Sequence, residues 1–244
     1  MSNAIATIDL TQLPSTQLGT DDAFADLTKG GNYLKYLKLC NNDKFTKKNK
    51  IANGHWGIPG PDETITDLGD SIDVVPFARR PKAVDMRDRS AIVTSYDETS
   101  DSFKKIRALS MEKDSSCQCG ISFLVYERST GSFYELFFGN ATSLREAGAV
   151  SNHMNLTQAD IDRRAANSQD VKGLAPHGPM PMTLQTRYIE KKGNSWYGPL
   201  VTKCSTPFNK VPPMTRIIEE IERFLKPKSE GVEKAEDNRK SRAR

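Results

Sequence analysis

The chain has no apolar run of the roughly 18 residues that a membrane-spanning helix needs. Its first residues, MSNAIATIDLTQLPSTQLGTDDAF, show no basic stretch followed by an apolar one, so no secretory signal is expected there. It carries four cysteines, at positions 40, 117, 119 and 204. That is too few for a dense disulfide framework, and a reducing compartment is the default. Cys117 and Cys119 have one residue between them, short of the usual zinc-ligand spacing, so buried free thiols are expected rather than a metal. The three histidines, His55, His153 and His177, are isolated in sequence. No glycine-rich loop is followed by the lysine and hydroxyl of a phosphate-binding motif. Ser115 and Ser116 beside Cys117 have no nearby histidine to activate them and read as a turn. Only the acidic run Asp62, Glu63, Asp67 and Asp70 offers carboxylates for a metal-dependent nuclease, and a solvated loop is the simpler reading. No catalysis, cofactor or metal is therefore expected. An excess of charge of one sign is also nearly absent, with 35 basic against 31 acidic residues, a balance that permits nucleic-acid binding without demanding it.

What the sequence does have is a basic–aromatic stretch, GNYLKYLKLCNNDKFTKKNKIANGHW, from Gly31 to Trp56. Residues Tyr33 to Cys40 alternate as a strand does. A turn and a basic loop follow, holding Lys44, Lys47, Lys48 and Lys50 around Phe45. Cations track phosphates and aromatic faces stack on any base, so this pattern suits a groove for single-stranded nucleic acid. The plain alternative is an amphipathic strand with a solvated lysine loop. Candidate phosphate contacts are Lys35, Lys38, Lys44, Lys47, Lys48, Lys50, Arg79, Arg80 and Arg187. Candidate stacking residues are Tyr33, Tyr36, Trp56, Phe77, Tyr188 and Trp196. Side chains alternate across a strand, so Tyr33 and Tyr36 do not both stack unless the strand is bulged.

The length of 244 residues suffices for one large domain. Residues 1–30 read as a mobile arm with a short helix at 23–29, capped by Asp21 or Asp22. Residues 58–69 read as a turn-rich connector. Residues 70–86 have strand character, but Pro76 and Pro81 each remove a ladder donor and point to an edge or bulged strand. Ala91–Tyr96 predicts a strand and Asp101–Met111 an amphipathic helix. Ile121–Glu127 and Ser132–Gly139 predict a central hairpin. Helices are expected at 140–153 and 156–170, a proline-rich loop at 172–182, and a second hairpin at 183–191 and 195–203. Residues 214–225 place Ile217, Ile218, Ile221, Phe224 and Leu225 on one helical stripe. Residues 226–244, with seven basic and four acidic residues, read as a disordered tail.

The fold class expected is mainly β (α+β). The order of strands, helix and final hairpin matches an OB-like antiparallel barrel with insertions, short helices and a C-terminal amphipathic helix over 31–225. A different antiparallel sheet fits almost as well. The stretches GNYLKYLKLC, DVVPFARRPKAVD, DSSCQCGISFLVYE, ELFFGNATSLREA and WYGPLVTKCSTPF resemble a set of tailed-bacteriophage proteins, from about Gly31 to Phe224. That resemblance implies phage DNA replication or recombination in the cytoplasm of an infected bacterium, beside other replication proteins. It is also similar in element order to phage OB-fold proteins that bind single-stranded DNA. Many of those end in an acidic, aromatic tail, whereas this chain ends in KSRAR. Sequence-independent binding of single-stranded DNA is the function expected. A non-catalytic interaction or structural component, with helix 214–225 against a partner, is the alternative.

Overall fold

The computed structural model describes residues 34–60, 63–88, 91–112, 115–140, 143–166, 181–191, 193–204, 212–226 and 231–234. The arm at 1–30, with its helix, and Tyr33 lie outside them. So do most of the proline-rich loop and residues 235–244.

The described elements run β1 (Tyr36–Leu39), α1 (Lys44–Lys48), β2 (Trp56–Pro59), β3 (Ile65–Gly69), β4 (Ile72–Asp85), β5 (Ala91–Ser95) and α2 (Asp101–Ser110). They continue with β6 (Cys117–Glu127), β7 (Ser132–Phe138), α3 (Leu144–Ala166), β8 (Met182–Lys191), β9 (Asn194–Lys203), α4 (Met214–Leu225) and β10 (Gly231–Lys234). The protein is mainly β. Its strands form one sheet in the order β10-β5-β4-β6-β7-β1-β2-β3, with the β8–β9 hairpin attached to β4 through β8. All neighbours are antiparallel except β1 and β7. The expected barrel does not close. β10 and β3 end the sheet without pairing to each other among the described residues, because β2 and β3 extend it past β1.

The centre is the β6–β7 hairpin. Ile121–Tyr126 is apolar at nearly every position, as a strand covered on both faces must be. Phe123 and Val125 point to one face, where they pack with Val74, Leu136, Ala147 and Val150 under α3. Leu124 and Tyr126 point to the other, with Val75, Phe77, Phe133 and the α4 residues Ile217, Ile221 and Phe224. α2 seats Phe103 and Ile106 on Ala83 and Cys117, at the far end of the α3 face. The α4 stripe is thus consumed within the chain rather than presented to a partner. The hairpin turn is fixed by Glu127, whose buried carboxylate accepts the N–H and O–H groups of both Ser129 and Thr130.

Several expectations are corrected. The basic loop is a helix: the Asp43 carboxylate accepts from the N–H groups of Phe45 and Thr46 at 3.0 Å, a cap that starts α1. Lys47 and Lys48 then suit its C-terminal end. The connector at 58–69 holds the end of β2 and all of β3. β4 is 14 residues long and pairs with β6 along nearly all of it. Its prolines are accommodated because the opposite edge is paired only at its ends, to β8 at Ile72–Val74 and to β5 at Ala83–Asp85. β4 is thus not an edge strand, but it is bulged as its prolines led one to expect: the register shifts between Pro76 and Ala78. α3 is one helix of 23 residues where two were expected, since no proline or glycine separates 153 from 156. Within the tail expected to be disordered, Gly231–Lys234 forms a strand that pairs with Ala91–Thr94.

Candidate nucleic-acid interface

Among the described residues, helical cover on the α4 face of the sheet lies at one end. α4 lies over Val75, Phe77 and Tyr126, while α1 stands beside β1 near the opposite edge. Register defines what lies between. Arg80 pairs with Ser122, which pairs with Phe137; Leu124 pairs with Glu135, which pairs with Tyr36. Facing partners share a face, so Arg80, Lys82, Ser122, Glu135, Phe137, Tyr36 and Lys38 all project to this side.

Together they form a strip of alternating cations and rings. The Lys82 Nζ is 5.2 Å from the Phe137 ring centroid. Lys38 is the next strand position beside Phe137, and its Nζ is 5.4 Å from the Phe45 ring. Tyr36 and Phe45 are exposed large aromatics, at 51% and 42%. Gly139 makes room for Phe137, because a Cβ there would stand 2.3 Å from that ring. Cation–π contacts of this kind are worth about 0.5–2 kcal/mol.

Beneath the strip lies a buried charge cluster. Glu135, 5% exposed, sits 3.0 Å from Lys82 Nζ and 3.6 Å from Arg80, and accepts the Ser122 hydroxyl at 2.6 Å. Burial alone would raise the Glu135 carboxyl, but Lys82, Arg80 and Ser122 hold it below its ordinary value. Arg80 is stacked between Tyr96, at 3.6 Å, and Phe224, at 4.3 Å, and donates to the Phe224 carbonyl. It anchors the end of α4 and is not a surface phosphate contact.

The expected site residues therefore separate. Tyr36, Lys38, Lys44, Lys47, Lys48 and Lys50 lie on β1, on α1 and just beyond it. Lys38 is paired with Asp43 at 2.9 Å and Lys48 with Glu63 at 2.6 Å. Lys44, Lys47 and Lys50 are exposed and make no ion pair among the described residues. Lys35 is exposed just before β1. Trp56 and Phe77 are core residues, at 2% and 5% exposure on opposite faces. Arg79 pairs with Phe123 and so faces away from Arg80. Arg187, Tyr188 and Trp196 belong to the β8–β9 hairpin.

That hairpin folds back over the α3 face. The Asn41 side chain clamps it, donating to the Tyr197 carbonyl at 3.0 Å and accepting from the Tyr197 N–H at 2.7 Å. Gly54, at φ +88°, leaves the space that the Tyr197 ring fills. Buried Glu146 accepts the Val201 N–H and meets Arg187 at 3.4 Å. A cleft of about 160 Å³ remains beneath the hairpin.

Sequence reasoning missed Lys82, Phe137, Glu135 and Asn41. Two signals mark the first two: Arg80 and Lys82 are two apart and so share a face of β4, and the adjacent Phe137 and Phe138 cannot both enter one core.

Of the four carboxylates expected for a nuclease, Asp62 lies outside the described residues, Asp70 is exposed, and the other two are engaged with nearby side chains. Glu63 holds Lys48, and both Asp67 oxygens lie 3.0 Å from His55 Nδ1. Among the described residues no three metal-ligating side chains converge. Cys40 and Cys117 are buried, Cys119 and Cys204 partly so, and burial pushes the first three thiols up. Among the described residues no helix is long and apolar enough to cross a membrane.

Comparison with protein-family models, with curated proteins and with solved structures returns no match. The functional reading rests on geometry and chemistry.

Proposed function

We propose that this protein binds single-stranded DNA without sequence preference, on the sheet face between α1 and α4. The observation that carries this reading is the strip Lys82–Phe137–Lys38–Phe45, with Tyr36 beside it. Bases stack on Tyr36, Phe45 and Phe137, and the backbone follows Lys38, Lys82 and the free lysines of α1. From β4 to β1 there are three strand spacings, about 14 Å. That span suits the two or three bases that other open sheets stack on their aromatic residues. An OB-like barrel is not required, since an open face offers the same platform. Nothing on the strip reads base edges, which fits binding of any sequence. Work in phage DNA replication or recombination, in the cytoplasm of an infected host and beside other replication proteins, is the setting this activity suits.

A gel shift with a labelled single-stranded oligonucleotide, with and without competitor duplex, tests the reading. Stacking is worth about 1–3 kcal/mol per base and is lost when bases pair. The single strand should therefore bind at least tenfold more tightly than duplex of equal length. Equal affinity would leave only a charged surface.

A further inference from the structure

The Asn41 clamp brings the β8–β9 hairpin up to the entrance of α1. Asn41 holds the Tyr197 backbone, and the Tyr197 ring lies on Gly54, four residues beyond Lys50. Facing partners share a face, so Tyr188, which pairs with Tyr197, projects the same way. The two rings meet nearly edge to face, with centroids 5.6 Å apart. Arg187 and Trp196 project from the opposite face of the hairpin, and Arg187 is held by Glu146. Of the three hairpin residues expected at the site, Tyr188 is therefore the one turned toward the end of α1.

Packing explains neither Tyr188 nor Lys50. Tyr188 is 58% exposed, more than any other aromatic side chain among the described residues. Lys50 follows Asn49, the C-terminal cap of α1, at φ +55°. That left-handed position favours glycine, and a side chain there is strained. The strained residue is an exposed cation with no ion pair among the described residues. Phe45 is four residues from Asn41, at most about 14 Å along the chain. Phe45, Lys50 and Tyr188 thus carry the alternation of rings and cations past the strip, over the end of β1. The carboxylates beside α1 do not oppose a phosphate there, because Asp43 is paired with Lys38 and Glu63 with Lys48. Glu190, exposed on the same hairpin face as Tyr188, repels phosphate and marks the far end of the path.

We propose that a bound strand does not end at Phe45 but turns over the end of β1, with Lys50 on a phosphate and one further base stacked on Tyr188. The ligand is accordingly a strand long enough to leave the sheet face. This rests on the strip reading, of which it is the continuation.

Fluorescence anisotropy with full-length protein tests it, using a labelled oligothymidylate of about four nucleotides, which occupies the strip alone, and one of about twelve. Tyr188→Ala, at an exposed position, should keep Tm close to wild type. It should weaken binding of the long oligomer by roughly five- to a hundredfold, the value of one stacked base, and leave the short one unchanged. Tyr188→Phe keeps a stacking face and should restore wild-type affinity. Lys50→Gly gives the left-handed position the residue it favours, so Tm should not fall. Binding of the long oligomer should nevertheless weaken, with a log-affinity against log-salt slope shallower by about 0.7. Tyr36→Ala, on the strip, should weaken both oligomers. Three results would overturn the continuation and leave the strip in place: wild-type affinity of folded Tyr188→Ala for the long oligomer, an equal loss at both lengths, or a wild-type salt slope for Lys50→Gly. Undiminished binding of both oligomers by Tyr36→Ala would overturn the strip, and the continuation with it.

Discussion

Replacing Trp56 by Ala separates the two roles open to this side chain. As a base-stacking residue it would be exposed and its loss would cost affinity. It is instead 2% exposed, on the α3 face between β1 and β3, packed in the cluster of Leu37, Leu136 and Phe138. Burying a tryptophan removes about 150–250 Å² from water. At about 25 cal/mol per Å² that is roughly 4–6 kcal/mol, and truncations of core Phe or Trp to Ala cost about 3–5 kcal/mol. One term opposes this. The Trp56 indole N–H is buried with no partner among the described residues, and removing an unsatisfied buried donor relieves about 1–3 kcal/mol. The net loss expected is therefore about 2–4 kcal/mol, or about 4–16 °C in Tm at this size. Trp56→Phe keeps most of the apolar surface and deletes the orphan donor, so it should lie within about 1 kcal/mol of wild type. Urea unfolding followed by far-ultraviolet circular dichroism measures both without using the tryptophan as probe. Affinity of the folded Ala variant for single strands should be unchanged. A stability loss below about 1 kcal/mol together with a clear loss of affinity would refute the core assignment.

Glu135→Gln leaves buried Arg80 and half-buried Lys82 without their carboxylate, and breaking a buried pair costs about 3–5 kcal/mol; calorimetry should show a Tm lower by roughly 6–20 °C. Glu135 is held below its ordinary value of 4.5 in the folded chain. Its contribution is thus complete above that pH and is lost as pH falls toward the lower folded value, so the gap between wild type and Glu135→Gln should narrow on acidification below about 4.5 and stay level above it. Truncation after Lys226 removes β10 from the edge of β5 and should lower stability by about 1–3 kcal/mol, a few net hydrogen bonds. Truncation after Lys234 keeps β10 and should lower it measurably less in the same calorimetric scan.

The central part of the fold was legible because its signals are local. Ile121–Glu127 and Ser132–Phe138 are apolar runs divided by a turn with Gly131, and the α4 stripe repeats at helical spacing. β2 and β3 were not legible, since Gly57, Pro59, Asp67 and Gly69 read as turn residues and only pairing with β1 makes them strands. α1 was hidden for the opposite reason: its lysines dominate the composition, while the decisive group is the single cap Asp43. At the site, Tyr36, Lys38 and the α1 lysines could be found from interleaved charge and aromatics. Trp56 and Phe77 share that pattern but face the core, and exposure is a property of register that composition does not carry. Lys82, Phe137 and Glu135 come from strands more than 50 residues apart, joined only by the β4–β6–β7 pairing.

The most direct test of the strip is the affinity for a single-stranded oligonucleotide measured across salt concentration. It compares wild type, the double variant Tyr36→Ala/Phe45→Ala, and the variant with Lys44, Lys47 and Lys50 changed to Gln. All five positions are exposed, so stability should stay close to wild type. The aromatic variant should lose about 1–3 kcal/mol per stacked base at every salt concentration and keep the wild-type slope. The lysine variant should weaken most at low salt, and its log-affinity against log-salt slope should become shallower by about 0.7 per lost phosphate contact. An aromatic variant with wild-type affinity, or a lysine variant with wild-type affinity and slope, would contradict the account.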